Sequence, residues 1–375
     1  MRYLKNEIDQ VLKRKMVFIG GPRQVGKTTF CLSFLEKKSP LKNPAYLNWD
    51  DVNSRSLIKS GELPDKKIIC LDEIHKFKNW RSLVKGFFDV YKEHHQFLVT
   101  GSARLDHYRK GGDSLLGRYR YFRLHPFSLS ELGAFTEDNL NQLLKFGGFP
   151  EPLFLQSEKE LRLWQKERLY RVVHDDIRDL ERVKEITSLE LLAEALPPRV
   201  GSPLSINSLS GDLEAHHQTV EKWTQILENI YYCFRISSFL DDKIRPVKKE
   251  KKLFLWDWSL IPSEGIRFEN LVANQLLKYC HYLEDTEGYK MELKFIRDID
   301  QREVDFIVLK DKKPLFAVEC KTGDSEISKH IEYFAKRIKY VPVWYQVHRG
   351  QKDKRIDKNI RMLPFVKFCQ ELNMP

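Results

Sequence analysis

The sequence predicts an α/β protein that begins with a mostly parallel sheet. Short apolar runs such as MVFIGG, KKIICLDE and QFLVTGS alternate with helical patterns up to about residue 135. Strands that alternate with helices favour a parallel sheet covered on both faces. A mostly helical stretch follows, and the last segment opens on a helix and continues into a lysine-rich hairpin. We therefore expect three domains, at residues 1–135, 136–262 and 263–375.

The composition is that of a soluble globular protein with a basic surface. Of the 375 residues, 42% are hydrophobic and none of their runs approaches the roughly 20 residues that span a bilayer. The six cysteines are scattered without metal-ligand spacing, so we expect reduced thiols, a cytoplasmic location and no membrane partner. The net charge of +11 favours phosphate-rich partners such as DNA, although a lysine-rich surface alone would explain it.

The most specific motif is a phosphate-binding loop, GPRQVGKTT. It fits the pattern G-x-x-x-x-G-K-[ST], and the strand MVFIG leads into it as that pattern requires. Glycines let backbone N–H groups converge on phosphate oxygens, and the following helix directs its positive end to the same point. The expected ATP-binding residues are Gly21, Pro22, Arg23, Gln24, Val25, Gly26, Lys27, Thr28 and Thr29. Lys27 would reach the β- and γ-phosphates, and the Thr28 hydroxyl would bind Mg²⁺.

A second motif, IICLDE, is a strand that ends in two acids. Carboxylates are out of place in an apolar strand unless they meet a cation or a hydrogen-bond partner. Asp72 fits an outer ligand of Mg²⁺, and Glu73 fits the base that orients the attacking water. The extra strand PAYLNW between the two motifs is typical of additional-strand P-loop ATPases with a parallel sheet.

Two further positions complete the predicted ATPase site. The strand FLVTGS ends in hydroxyls, and either Ser102 or Thr100 would sense the γ-phosphate. Arg118 follows a short helix at the place where AAA-type ATPases carry an arginine for the nucleotide of a neighbouring subunit. In that role it predicts a homo-oligomer. The alternative is a surface arginine beside Arg120 and Arg123.

The middle region has the spacing of a winged helix. A short helix precedes a turn and a longer helix with Val220 and Trp223 on one face, and two strands then flank a basic loop. The side chains expected to face outward on the longer helix are His217, Gln218, Lys222 and Gln225. The lysines expected to meet DNA phosphates from the wing are Lys248, Lys249, Lys251 and Lys252. Winged helices also bind proteins or form lids of ATPases, so a protein partner is the alternative to DNA.

The hairpin VDFIVLKDKKPLFAVECK predicts a metal site. With a five-residue connection, in which Leu309 pairs with Leu315, Asp305 lies opposite Glu319. Two facing carboxylates repel, and a divalent cation between them reverses the sign of that interaction. Lys321 projects from the same face as Glu319, because side chains alternate along a strand. This set predicts phosphodiester hydrolysis with Mg²⁺ or Mn²⁺ held by the acids and water positioned by the lysine.

One more acid belongs to this prediction. Glu269, in RFENLVANQLL, shares a helix face with apolar residues, which favours either a metal ligand or a glutamate placed by the helix dipole. The pattern EVDFIV…VECK resembles the D…(D/E)xK core of restriction-type nucleases, with Val304 where that core has proline. The resemblance implies an α/β restriction-endonuclease-like domain.

Across nearly its whole length the chain resembles a large prokaryotic family of AAA-type ATPases. The motifs that carry the resemblance are GPRQVGKTT, CLDEIHK, VTGSAR, LLGRYRYFRLHPFSLSEL and FGGFPEP. In that family the ATPase precedes a domain of unknown function, which resembles a winged helix joined to a restriction-nuclease fold. The resemblance implies that Gly148 and Pro150 lie against the nucleotide base.

These observations lead to one principal hypothesis and two alternatives. The principal hypothesis is a Mg²⁺-dependent ATPase associated with DNA, whose nuclease-like domain cleaves nucleic acid under ATP control. The first alternative is an ATP-driven switch whose C-terminal domains bind DNA or a protein without cutting. The second is a chaperone-like remodeller of proteins. The salt dependence of DNA binding distinguishes the remodeller from the other two hypotheses, because contacts with DNA phosphates weaken as the salt concentration rises.

Overall fold

The computed structural model describes residues 2–35, 40–101, 115, 117–176, 186–241, 243 and 250–375. By their internal contacts these residues divide into two units. The first unit contains the residues up to Pro126 together with the segment 229–231, and the second contains the rest of the described chain from Phe127 onwards. The phosphate loop and the acid pair therefore belong to the first unit, and the hairpin acids belong to the second.

A five-stranded parallel sheet forms the centre of the first unit. Its strands are β1 Met16–Gly20, β2 Tyr46–Asn48, β3 Ile68–Asp72, β4 Gln96–Thr100 and β5 Tyr119–Arg123. Their order is β2-β3-β4-β1-β5, so β4 lies between the strand of the phosphate loop and the strand of the acid pair. Because parallel strands end at the same edge of a sheet, the loop, Asp72 and Thr100 meet there. The predicted parallel sheet is confirmed.

Helices cover this sheet where the sequence shows an apolar stripe. They are α1 Lys5–Leu12, α2 Lys27–Leu32, α3 Val52–Ser60 and α4 Trp80–Tyr91. α4 buries Trp80, Val84 and Phe87, which recur at helical spacing. α3 begins after Asp51, whose carboxylate accepts a hydrogen bond from the N–H of Ser54 and so satisfies one free donor of the first turn.

The second unit begins with helices and ends in a mixed sheet. Its helices are α5 Glu137–Phe146, α6 Pro150–Leu155, α7 Glu158–Arg171, α8 Ile186–Ala195, α9 Ile206–Asp212, α10 His217–Asn229, α11 Glu264–Glu287, α12 Lys329–Arg337 and α13 Phe365–Glu371. Its strands are β6 Cys233–Ser237, β7 Lys251–Leu255, β8 Met291–Arg297, β9 Glu303–Lys310, β10 Lys313–Lys321, β11 Trp344–His348, β12 Lys354–Asp357 and β13 Ile360–Pro364. Within the described ranges, no helix combines the length and the apolar character needed to cross a membrane.

Six of these strands form one sheet in the order β12-β13-β11-β10-β9-β8. β8, β9 and β10 pair antiparallel, whereas β11 is parallel to both β10 and β13. α11 lies against β8, β9 and β10, and α12 packs Phe334 into a core that includes Ile307 and Trp344. The hairpin acids therefore stand in the middle of a covered sheet.

The turn between β9 and β10 differs from the prediction. Two residues, Asp311 and Lys312, join the strands at φ values of 49° and 68°, in place of the predicted five-residue connection. Two successive left-handed residues are typical of a tight hairpin turn whose twist matches that of the strands. Leu309 consequently pairs with Pro314, and the predicted pairing with Leu315 is wrong.

A bulge between Pro314 and Phe316 changes the register. It inserts one extra residue into β10, and beyond it Ala317 pairs with Ile307 and Val318 with Phe306. Continued by one residue, this register places Glu319 opposite Asp305. The two acids therefore face each other as predicted, although the predicted turn is wrong. The extra residue in the bulge compensates for the shorter connection.

The middle segment follows the order of elements predicted for it. α9 and α10 precede β6 and β7, which pair antiparallel. α10 buries Val220 and Trp223. The four side chains predicted to face outward are exposed: His217, Gln218, Lys222 and Gln225. Arg235 of β6 forms ion pairs with Glu221 and Glu228 of α10 at 2.9 and 2.8 Å, which fixes the strand to the helix.

The lysines predicted to contact DNA from the wing differ in their environments. Lys248 and Lys249 lie outside the described residues. Lys251 is exposed, but only 1% of the Lys252 side chain is accessible. Neighbours in a strand point to opposite faces, so one lysine of the pair faces inward when β7 packs on the rest of the unit. The prediction that Lys252 contacts phosphate is therefore wrong.

Candidate functional site

The phosphate loop is shaped by two glycines at positive φ. Gly21 has φ 138° and Gly26 has φ 93°, conformations that residues with a side chain rarely adopt. A Cβ on Gly21 would lie 2.3 Å from the backbone oxygen of Leu124, so only glycine fits there. Lys27, the first residue of α2, donates hydrogen bonds to the carbonyl oxygens of Gly21 and Pro22 at 2.9 and 2.7 Å. The other predicted loop residues occupy the connection from β1 or the start of α2: Arg23, Gln24, Val25, Thr28 and Thr29.

Three hydroxyl groups hold the carboxylate of Asp72. Thr28 and Tyr46 each donate to Oδ2 at 2.8 Å, and Thr100 donates to Oδ1. Asp72 is only 3% exposed, and these bonds satisfy a charge that is costly to bury alone. Thr28 and Asp72 thus present adjacent oxygen atoms, and Mg²⁺ commonly binds to one or two carboxylates together with substrate phosphates. The residues predicted to bind Mg²⁺ therefore lie together and fit that ion.

Tyr46 is a site residue that sequence reasoning missed. Burial and then the charge of Asp72 raise the pKa of its hydroxyl well above the usual value, so the hydroxyl stays protonated and donates. β2 pairs with β3 in a parallel register that sets Asn48 beside Asp72. The sequence signal for this contact is a tyrosine two positions before the asparagine. It indicates a contact with Asp72 only when β2 is known to lie next to β3.

Glu73 follows β3 directly and has an unusual backbone conformation. Its φ is 56°, and its N–H donates to the carbonyl oxygen of Thr100 at 3.2 Å, which ties the end of β3 to the end of β4. Its Oε2 lies 3.5 Å from Nζ of Lys76 and 3.7 Å from Nε2 of His75. Burial, followed by the charge of Asp72, raises the pKa of Glu73 above that of an ordinary glutamate. A raised pKa suits a residue that accepts a proton from water.

Arg118, predicted to act on a neighbouring subunit, pairs with an acid of its own unit. Its Nε lies 2.7 Å from Oδ1 of Asp89 on α4, and both side chains are partly exposed. Exposed ion pairs contribute little to stability, so this one gives only a small gain. Its role between subunits stays a prediction. Ser102 lies outside the described residues, whereas Thr100, the alternative γ-phosphate sensor, contacts Asp72.

Gly148 and Pro150, expected from the resemblance to meet the nucleotide base, lie in the second unit. The carbonyl oxygen of Gly148 accepts a hydrogen bond from the N–H of Phe127 at 2.7 Å. Pro150 is the first residue of α6, where proline fits because no intrahelical donor is needed. Their contact with a nucleotide stays a prediction.

The acids of the hairpin come together on β9, β10 and α11. Oδ2 of Asp305 accepts a hydrogen bond from the N–H of Cys320 at 2.8 Å, and Nζ of Lys321 lies 2.7 Å from Oε1 of Glu319. Glu319 is 5% exposed, and burial followed by the charge of Asp305 raises its pKa to about 7. Burial, again followed by Asp305, raises the pKa of Glu269 to about 8. The four residues predicted for this site therefore share one neighbourhood.

A buried lysine lies among these acids. Nζ of Lys252, on β7, is 2.7 Å from Oε1 of Glu269 and 2.6 Å from Oε1 of Glu303. It is also 3.2 Å from Oδ1 of Asp305. Burial lowers the pKa of this ammonium group, but the three carboxylates outweigh burial and raise the pKa well above its usual value. Sequence reasoning missed this role of Lys252 and missed Glu303, because β7 and β9 are brought together only by the fold.

As arranged, this carboxylate site does not fit a divalent ion. Mg²⁺ needs oxygen ligands at about 2.0–2.1 Å in a near-octahedral array. The ammonium group of Lys252 instead occupies the space between Glu269 and Asp305. In the part of the chain that the structure describes, no three His, Cys, Asp or Glu side chains are placed to hold a metal ion together. The predicted Mg²⁺ or Mn²⁺ at Glu269, Asp305 and Glu319 therefore has no support from this geometry.

Comparison with protein families agrees with the geometry of the first unit. Residues 13–133 match a family described as an AAA domain. Residues 137–266 and 264–368 match two families, each described as a domain of unknown function (DUF8612 and DUF4143). The glycine-shaped loop, the Thr28–Asp72 contact and the parallel sheet with β4 between β1 and β3 meet the requirements of a nucleotide site. The family match and this geometry together support an AAA-type P-loop ATPase domain in the first unit.

Individual relatives are distant. The chain is 22% identical over 365 aligned positions to the uncharacterized protein MJ1544 of Methanocaldococcus jannaschii, with 88% of this chain and 80% of that protein covered. Among solved structures, the RuvB Holliday junction branch migration motor of Thermotoga maritima is 15% identical, with coverage of 62% and 88% and a TM-score of 0.31. The Walker-type ATPase PABY2304 of Pyrococcus abyssi is 13% identical, with coverage of 70% and 94% and a TM-score of 0.40. At these TM-scores the likeness supports no inference about function.

Proposed function

We propose that this chain is a Mg²⁺-dependent ATP hydrolase that associates with DNA in the cytoplasm. The observation that carries the proposal is the contact of Thr28 with Asp72, whose oxygens lie 2.8 Å apart beside the phosphate loop. Mg²⁺ held by these residues would neutralise charge on the β- and γ-phosphates of ATP. The scattered spacing of the six cysteines in the sequence supports the location, because disulfides form mainly outside the cytosol.

Separate residues of the first unit would perform the steps of hydrolysis. Lys27 binds the phosphates, and Glu73 orients a water molecule and accepts its proton. Thr100 holds Asp72 in place and, with Ser102 as the alternative, senses the γ-phosphate. Arg118 completes the site of a neighbouring subunit, so that the active form is a homo-oligomer.

DNA is the proposed partner of the second unit. The exposed residues of α10 form a polar surface of the kind that enters a groove in helix-turn-helix proteins. The net charge of +11 adds attraction to phosphates. DNA affinity measured at several salt concentrations tests this part, because affinity should fall steeply as salt rises. Affinity for a protein partner with no such salt dependence would favour a remodeller of proteins.

We further propose that the end of the second unit is related to restriction-type nucleases and cleaves nucleic acid under the control of ATP. Support comes from the element order α11-β8-β9-β10-α12-β11 and from Asp305 and Glu319 on adjacent strands. Lys321, held 2.7 Å from Glu319, would position water and stabilise charge on a phosphate.

A second candidate function is an ATP-driven switch that binds DNA or a protein without cutting. The ion pairs of Lys252 favour this candidate, because they commit the carboxylates of Glu269 and Asp305 to a protein cation. In such a switch the carboxylates would stabilise the fold of the domain and would take no part in chemistry.

Cleavage assays on labelled DNA decide between the two candidates. Single-stranded, duplex and branched DNA are incubated with Mg²⁺ or Mn²⁺, with and without ATP, and Lys321→Ala is tested in parallel to exclude a contaminating nuclease. Cleavage that Lys321→Ala lacks would establish the nuclease, and a change on addition of ATP would establish its control. DNA that is bound in every condition and cut in none would favour the switch.

A further inference from the structure

The ammonium group of Lys252 is enclosed by carboxylates from two other elements of the second unit. Glu269 comes from α11, and Glu303 and Asp305 come from β9. A buried ion pair of this kind is costly to break, because removal of one partner leaves the other charge buried and uncompensated. Lys252 is therefore a fixed part of the site and not a surface lysine near it.

The strand that carries Lys252 is anchored on both sides of it. On one side, the N–H of Leu204 donates to the carbonyl oxygen of Lys251 at 2.9 Å. On the other side, the buried amide of Asn270 accepts a hydrogen bond from the N–H of Leu255 and donates one to its carbonyl oxygen, each at 2.8 Å. Asn270 is the residue after Glu269, so β7 and α11 are joined directly beside the ion pair.

Every carboxylate of the cluster already has a protein cation. Besides Lys252, Glu303 contacts a guanidinium nitrogen of Arg297 at 3.3 Å. Glu319 is paired with Lys321. A divalent ion that entered the cluster would have to displace at least the ammonium of Lys252.

We propose that Lys252 is an internal cation that takes the place of a divalent metal ion in this site, and that the site excludes metal while β7 keeps its position. The inference rests on the proposed relation of this domain to metal-dependent nucleases. The ammonium group of Lys252 occupies the position between Glu269 and Asp305 that Mg²⁺ would need, because Mg²⁺ must approach the carboxylate oxygens to about 2.0–2.1 Å and the two cations repel. Cleavage of nucleic acid then requires β7 to withdraw Lys252, whereas binding without cleavage requires no such movement.

Replacing the ammonium group by an uncharged side chain of similar length tests the proposal. Without nucleotide, full-length Lys252→Met should bind Mn²⁺ at least about tenfold more tightly than wild type. Changes to the groups that surround metal ligands typically alter metal affinity by about this factor or more. Free Mn²⁺ is measured by electron paramagnetic resonance. Lys251→Met changes an exposed lysine of the same strand and should bind Mn²⁺ as wild type does. Adding Asp305→Asn to Lys252→Met should remove the new binding and so locate it.

Two results would overturn the proposal, and they have different consequences for the proposed nuclease. If wild type already binds Mn²⁺ through Asp305 as tightly as Lys252→Met does, Lys252 excludes nothing, but the metal site of the proposed nuclease is real. If folded Lys252→Met gains no Mn²⁺ binding at Asp305, the proposed metal-dependent nuclease is refuted together with the exclusion.

Thermal unfolding provides a second readout if Lys252→Met is unstable. The variant leaves Glu269 and Asp305 without their cation, so in the absence of nucleotide Mn²⁺ should raise its unfolding temperature and leave those of wild type and Lys251→Met unchanged. The double variant Lys252→Met/Glu303→Gln has one carboxylate fewer and therefore less repulsion among the remaining acids. It keeps Asp305 and Glu269, so the effect of Mn²⁺ on its unfolding temperature can be compared in the same way. Equal stabilisation of all variants by Mn²⁺, or of none, would contradict the proposal.

Discussion

Replacing Glu73 with glutamine should stop ATP hydrolysis and leave ATP binding intact. Glutamine has the shape of glutamate but cannot accept a proton from water. The backbone at this position is fixed independently of the side chain, because the N–H of Glu73 donates to the carbonyl oxygen of Thr100. The phosphate ligand Lys27 and the Thr28–Asp72 pair are untouched by the change.

The expected size of the effect follows from the loss of one proton acceptor. General acid–base catalysis contributes about 10²–10⁴-fold to a rate. At about 1.4 kcal/mol for each factor of ten, this corresponds to about 3–5 kcal/mol of activation free energy. The affinity for ATP should change by no more than about twofold, because general-base catalysis acts in the transition state.

The raised pKa of Glu73 adds a pH dependence and a stability effect. Because burial, followed by Asp72, raises this pKa, ATP turnover should decline on the acid side at a higher pH than for an ordinary glutamate. The folded chain binds this proton more tightly than the unfolded chain does. The ionised carboxylate therefore destabilises the fold, increasingly as pH rises from 4.5 through the folded-state pKa. Glu73→Gln removes this cost, so its unfolding temperature at neutral pH should equal or exceed that of wild type.

Three assays test this prediction: phosphate release measures hydrolysis, a fluorescent ATP analogue measures binding, and thermal unfolding measures stability. Glu62→Gln, which changes an exposed glutamate of the same unit, is the matched control and should behave as wild type. Hydrolysis by Glu73→Gln at the wild-type rate would refute the assignment of the base. A fall in its unfolding temperature would show that any loss of rate reflects damage to the fold.

Three further predictions concern other charged residues. Lys27→Ala should abolish binding of the ATP analogue, and binding at wild-type affinity would contradict its role. Arg118→Ala and Lys27→Ala should each be inactive but recover ATP hydrolysis when mixed, and an assembled mixture without activity would exclude action between subunits. Lys278→Met should lower the free energy of unfolding by about 3–5 kcal/mol in denaturant titrations, because it removes the ammonium group that faces the buried carboxylate of Glu131. Lys278→Met/Glu131→Gln should recover part of that loss.

The phosphate loop and the central strands could be predicted because their signals are local. A buried parallel strand has an unbroken apolar run, and β1, β3 and β4 each have one. The loop motif fixes four residue types within eight consecutive positions. Asp72 stands out for the same reason, since an acid at the end of such a run needs a partner.

The remaining features depend on contacts between distant segments. Tyr46 reaches Asp72 only because β2 is inserted beside β3. Lys252 belongs to a run of lysines that resembles a solvent-exposed wing, and only the packing of β7 decides that it points inward. The two-residue turn at Asp311 and Lys312 contains no glycine, which is the residue that usually indicates positive φ angles in such a turn. The sequence therefore did not predict this turn.

Gly21→Ala should destroy the phosphate loop, whereas an added methyl group elsewhere in the same unit should do no harm. The new Cβ would lie 2.3 Å from the backbone oxygen of Leu124, and alanine rarely adopts the φ of 138° at this position. The loop must therefore shift away from the position in which Lys27 contacts it, and we expect ATP affinity to fall at least about tenfold, or about 1.4 kcal/mol. Gly86→Ala is the control: its Cβ meets nothing within 4 Å on an exposed position of α4, so it should keep ATP affinity and gain about 0.5–1 kcal/mol of stability. If Gly21→Ala binds the ATP analogue as tightly as Gly86→Ala does, the close approach to Leu124 is not what shapes the loop for phosphate.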